Sequence, residues 1–195
     1  METPSAGPSP PEDAAEGPAR APAYQYLLAI LLAIVGGFLG IIGAIIQELQ
    51  STTTYILLPF LGAPIIEEAL KPSGIYLALL WWPRALTSQI FTALLCALSG
   101  VVFGVIESFV YVTLYVEDPS DEFVVFRFSV PLGLHATCSF LVGLGLNQQV
   151  IDWAAGRSKL PRASRNFFIA AVALHAAYNT MAVILSLSGI LDFED

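Results

Sequence analysis

Along this chain, long apolar runs alternate with short polar connections, and the polar exceptions inside the runs are few and strong. Residues 24–46, 54–80, 89–115, 126–150 and 166–188 each form an apolar run long enough to cross a bilayer, for which about 20 residues suffice. The pattern predicts an all-α fold, a polytopic membrane helix bundle of about five transmembrane helices, joined by connections at 81–88, 116–125 and 151–165. The first run is too long for a signal-peptide core and lacks a cleavage site. Its Gly36, Gly40 and Gly43 make a stripe that lets another helix approach closely. No internal repeat is evident, which argues against a transporter built from duplicated halves.

The second run carries Pro59, Gly62, Pro64 and Pro72, so one straight helix is not expected there. Pro64 suits the first turn of a helix, where its missing N–H costs nothing. Glu67 and Glu68 then fall in or near that turn, where the helix dipole favours negative charge. Pro72 cannot donate to the carbonyl of Glu68, which leaves that oxygen for water or a side chain. A carboxylate at bilayer depth costs several kcal/mol, about 2.5–3.5 by the lowest scales. Two side by side cannot both ionise cheaply. Such a pair is an arrangement for general acid/base chemistry.

Composition narrows the class. Of 195 residues, 56% are hydrophobic and 12% charged, against about a quarter charged in soluble domains, and the mean hydropathy is +0.72. A net charge of −8 speaks against a nucleic-acid partner. Cys96 and Cys138 lie in apolar runs without CxxC spacing and read as small buried hydrophobes, which excludes a cysteine zinc site. Residues 1–22, rich in Pro, Ala, Gly, Ser and Glu, read as a disordered tail. Residues 23–190 form one membrane domain, and residues 191–195 an acidic tail. Basic residues set the orientation. Arg157, Lys159, Arg162 and Arg165 fill the last connection, while Glu117, Asp118, Asp121 and Glu122 outweigh Arg127 in the one before. Placing the basic side in the cytoplasm, with Arg20 and Arg84, makes the chain N-in and C-out.

With a rise of about 1.5 Å per residue, Glu67, Glu107, His135, His175 and Asn179 come to lie at a similar depth in four helices. A water-filled cavity accounts for that convergence. Glu67 and Lys71, four apart, share a helix face, as do Phe103, Glu107 and Tyr111, and as do His175 and Asn179. Each group alone could serve helix packing. The ordered set points to chemistry.

That set resembles the PrsW family of intramembrane proteases, within the wider group of CAAX prenyl endopeptidases and abortive-infection proteins. The resemblance rests on Glu67-Glu68-Ala69-Leu70-Lys71, on Phe103-Gly104-Val105-Ile106-Glu107 with Tyr111, on His135, and on His175-Ala176-Ala177-Tyr178-Asn179. The CAAX-type pattern departs at two places, the residue after the acid pair and the Glu107 position, so prenylated-substrate specificity is not carried over. The resemblance implies an intramembrane peptidase in the cell membrane, in contact with membrane lipids, cutting membrane-anchored proteins such as anti-sigma factors. Glu67 or Glu68 would act as base, with Lys71 keeping one ionised. Glu107 would hold water or a histidine, His175 and Asn179 would polarise the carbonyl, and His135 would supply a proton. Alternatively His135, His175 and one of Glu67 or Glu107 would ligate zinc. A proton- or ion-coupled carrier and a non-catalytic membrane scaffold are the competing functions.

Overall fold

The computed structural model describes residues 21–51 and 58–188. The tail at 1–20, with its Arg20, and the acidic tail at 191–195 lie outside the described residues. Among the described residues every regular element is helical. Four stretches are long and apolar enough to cross a membrane: Ala23–Ile46, Gln89–Tyr115, Asp121–Gly145 and Arg162–Leu187. This is an all-α membrane bundle.

The first crossing is α1, Ala23–Ser51. Its large side chains Leu27, Leu31, Val35, Phe38 and Ile42 are exposed, as lipid contact requires, while Ala29 and Ala33 are buried. The second expected crossing is broken into pieces, none of them long enough to cross a membrane alone. A π-helical turn, Leu58–Gly62, leads into α2, Ala63–Leu70, and α3 runs over Ser73–Trp81. Pro64 lies in the first turn of α2, as its chemistry favours. Glu67 and Glu68 lie just beyond that turn, because the helix starts directly out of the π-helical turn. The break between α2 and α3 falls at Lys71 and Pro72. The amide of Lys71 still donates to the carbonyl of Glu67, at 2.9 Å. Pro72 has no N–H to continue the ladder.

The third expected crossing is α4, Gln89–Val110, extended by a π-helical turn over Tyr111–Tyr115. Ser88 caps it, accepting from the amide of Phe91 at 3.1 Å. The run at 126–150 is where expectation and structure part. It divides into the end of α5, Asp121–Arg127, then α6, Val130–Gly145, and α7, Gln148–Ala154. Ser120 caps α5 and Asn147 caps α7, while Pro131 sits in the first turn of α6. These local stop and start signals override the continuous hydrophobicity. The connection expected at 116–125 thus contains most of α5. The last helix, α8, covers Arg162–Leu187 and draws Arg162 and Arg165 out of the expected loop.

Helix α4 packs most extensively on α6, and also on α1; α6 continues to α8. Helix α2 touches α1, α6 and α8, and α3 lies on α1. The result is a ring in which α1, α4, α6, α8 and α2 surround one another's polar faces. The side chain of Gln89 ties α4 to the end of α6 by donating to the carbonyls of Gly143 (2.7 Å) and Leu146 (2.8 Å). An apolar core of Ala29, Ala33, Ile75, Ala78, Leu95 and Cys96 fills one end. Cys96 and Cys138 are buried free thiols, as their surroundings predict.

Candidate active site

Lys71 is the hub. Its side chain is 0% exposed, a placement tolerated in an apolar bundle only with partners. The Nζ donates to Glu68 Oε1 at 2.7 Å and to His135 Nδ1 at 2.9 Å. It lies 3.3 Å from Glu67 Oε2 and 4.0 Å from the centre of the Phe103 ring. The pairing with Glu67 foreseen from i,i+4 spacing is present, yet the shorter contact is to Glu68, one residue nearer.

Because an ammonium has no acceptor, His135 Nδ1 must receive that bond, and the ring proton belongs on Nε2. From Nε2, His135 donates to Glu107 Oε2 at 2.9 Å. The same oxygen accepts from Arg127 Nη2, also at 2.9 Å. The Arg127 guanidinium lies 3.8 Å above the ring of Tyr111. Ser108 donates to the carbonyl of Arg127 at 2.8 Å, which fixes the end of α5 against α4. A continuous chain therefore runs from Lys71 through His135 and Glu107 to Arg127.

On the other side, His175 Nδ1 is 2.9 Å from Glu68 Oε1, and its ring stands edge-on to that of His135 at 4.9 Å. His175 Nε2 is 3.8 Å from Glu67 Oε2. That oxygen is buried and has no hydrogen-bond partner among the described residues. Glu67 is a lining residue of a cavity of about 510 Å³, together with Glu107, Arg127, His135, Tyr178 and Asn179. Glu68, Lys71 and His175 stand behind that wall.

The glycine pairs act here as well. A Cβ on Gly36 would collide with the carbonyl oxygen of Lys71, and one on Gly40 would lie 3.0 Å from Lys71 Cγ. A Cβ on Gly100 would strike the carbonyl of His135. The small residues let α1 close on the Lys71 break and α4 close on His135.

The structure thus gathers Glu67, Glu68, Lys71, His135 and His175 in direct contact, with Glu107 one bond further out. Asn179 faces the cavity one turn from His175, and Tyr111 meets the cluster through Arg127. Arg127 and Ser99 were missed. Arg127 read as a minority charge in an acidic loop, yet it is 8% exposed and paired with Glu107. Its position within Phe123-Val124-Val125-Phe126-Arg127-Phe128 was the available signal. Ser99 donates its hydroxyl to the carbonyl of Lys71. Nothing in its apolar run distinguishes it from a packing serine.

The side chains of Glu67, Glu68, His135 and His175 bring one donor atom each to within 4.8 Å of one another, a grouping that could hold a metal ion. Glu107 falls outside it, engaged by Arg127. The donor types suit zinc. The placement does not, because the Lys71 ammonium already contacts three of the four residues from within. The set fits a metal only if Lys71 is displaced.

No curated protein and no solved structure matches this chain. One family model does, over residues 21–192, and its description is PrsW family intramembrane metalloprotease. The match includes every member of the buried cluster and is to a protease, with nothing in support of a carrier or scaffold. With a buried glutamate and histidine cluster set in a helical membrane bundle and a family match across nearly all of its length, the chain belongs to the PrsW family of intramembrane proteases.

Proposed function

We propose that the chain hydrolyses peptide bonds of membrane-anchored proteins with Glu67 as the base. The observation that carries this is the difference between three carboxylates. Glu107 Oε2 accepts from both His135 and Arg127, and Glu68 Oε1 is held by Lys71 and His175. Glu67 Oε2 and Glu68 Oε2 both lack a hydrogen bond, but Glu67 meets Lys71 only in the looser contact of 3.3 Å, and of the adjacent pair it is Glu67 that lines the cavity. A base must be loosely held and within reach of the proton it takes, and Glu67 is the carboxylate that meets both conditions.

In this reading Glu67 orients a water molecule at the scissile carbonyl and takes its proton as the new carbon–oxygen bond forms. The Asn179 amide donates to the developing oxyanion, a contact worth roughly 3–4 kcal/mol in the transition state. Glu67 then passes the proton to the amide nitrogen as the carbon–nitrogen bond breaks. Lys71 offsets the charge of the acid pair. His135 orients Glu107, and His175 holds Glu68, so both are positioning residues. Zinc, the metal that such a donor set would favour, has no step here, since the ammonium stands among its ligands.

The substrates would be single-span proteins of the anti-sigma-factor kind, cut in the cell membrane. The N-in, C-out orientation puts the cluster in the outer half of the bilayer. A test is expression with single-span candidates tagged at both ends. Wild type should yield two fragments, and Glu67→Gln only intact substrate. Two fragments from Glu67→Gln would contradict the assignment of the base.

A further inference from the structure

We infer that the Lys71 ammonium occupies the position that a divalent cation would take among Glu67, Glu68 and His135, so that the wild-type chain carries a tethered cation and takes up no metal there. The inference rests on the placement of the cluster and not on which group removes the proton from water.

Three observations converge. The first is the second shell. A metal-binding histidine typically gives its other N–H to a carboxylate, which turns the free lone pair toward the ion. His135 does this, giving Nε2–H to Glu107 and presenting Nδ1 inward, and the atom that Nδ1 meets is Lys71 Nζ. The second is scale. The Nζ contacts run from 2.7 to 3.3 Å, the spacing of an ammonium held by ion pairs and charge-assisted hydrogen bonds, whereas zinc would draw the same atoms in to about 2.0–2.2 Å. The Phe103 ring closes a further side at 4.0 Å, as a cation-binding face.

The third is that Lys71 cannot easily leave. Ser99 holds its carbonyl, Gly36 of α1 is pressed against that same oxygen, and Gly40 lies against the side-chain stem. The break before Pro72 sets the direction of the lysine, and α1 locks it. Two glutamates, a histidine and an aromatic face therefore already have their cation, held covalently and supplied with the fold.

The test is metal uptake by the full chain in detergent or nanodiscs. Wild type and Lys71→Ala are loaded with Zn²⁺ or Co²⁺, passed over a desalting column and analysed for bound metal. For cobalt, the visible absorption of a tetrahedral ion is read as well. Wild type should retain almost none, and a strong chelator should leave its thermal midpoint unchanged. Lys71→Ala should gain about one ion per chain, held by Glu67, Glu68, His135 and His175 as a single four-ligand site. Adding His135→Ala should remove that gain. Wild type retaining about one tightly held ion per chain would overturn the inference, and so would a folded Lys71→Ala that binds none. If Lys71→Ala folds only when expressed with zinc, the ion has replaced the ammonium, which supports it. If it aggregates with and without zinc, the wild-type result decides: retained metal overturns, and none supports.

Discussion

A side chain's worth in this cluster depends on whether it faces the cavity or holds a neighbour. Glu67 faces the cavity and Glu68 does not, so the two adjacent acids should fail differently. Glu67→Gln should lower the cleavage rate by roughly 10²–10⁴-fold, the span of general-base contributions, with little change in thermal midpoint. Glu68→Gln weakens a carboxylate that both Lys71 and His175 hold at hydrogen-bond distance. Breaking a buried pair costs about 3–5 kcal/mol, so that variant should melt earlier and lose activity together. Thermal melts in detergent read beside rates separate the two. Asn179→Ala should reduce the rate by about 10²–10³-fold with the fold intact. An unchanged rate would remove the oxyanion role.

Arg127 makes a second test at this scale. Its guanidinium stacks on Tyr111 while bonding Glu107, a combination that lysine cannot reproduce. Arg127→Lys should therefore behave like a loss of function, while preserved activity would show that charge alone suffices.

Among the helices, the site depends on breaks and close approaches more than on continuous spans. Gly36→Ala and Gly100→Ala each push a methyl group into a backbone carbonyl, of Lys71 and of His135 respectively. Overpacking of this kind typically costs about 1–3 kcal/mol. Both variants should show lowered thermal midpoints and impaired cleavage, although neither glycine touches substrate. Gly133, with open space where its Cβ would be, is the matched control. Alanine there should be silent.

How much of this was legible beforehand follows from the same physics. The acid pair, Glu107 and both histidines stand out because an ionisable group in an apolar run is costly, and cost leaves a visible mark. The break around Pro72 was legible through proline's missing donor. The subdivision of 126–150 was not, since Ser120 and Asn147 act as caps only in particular backbone geometries, while the apolar run looks unbroken. The central place of Lys71 was hidden too. Spacing puts it beside Glu67, but its bond to His135 spans 64 positions and depends on how α2 meets α6. The distinct situations of Glu67 and Glu68 have the same origin, because adjacency in sequence says nothing about which carboxylate faces the cavity.

For the molecule as a whole, the ring of helices sets the cluster beside a cavity of about 510 Å³ within the bundle. Under the N-in, C-out orientation, substrates should be cut toward the extracytoplasmic end of their membrane segment, and mass spectrometry of the fragments would locate the bond. A cytoplasmic cut would overturn either the orientation or the depth assigned to the cavity. The central claim, that a buried glutamate performs peptide hydrolysis inside the membrane, is tested most directly with purified chain and one single-span substrate in nanodiscs. Single-turnover cleavage is followed for wild type and Glu67→Gln. Wild type should cut, and Glu67→Gln should be slower by at least about 10²-fold at an unchanged thermal midpoint. A folded Glu67→Gln protein that cuts at the wild-type rate would contradict the account.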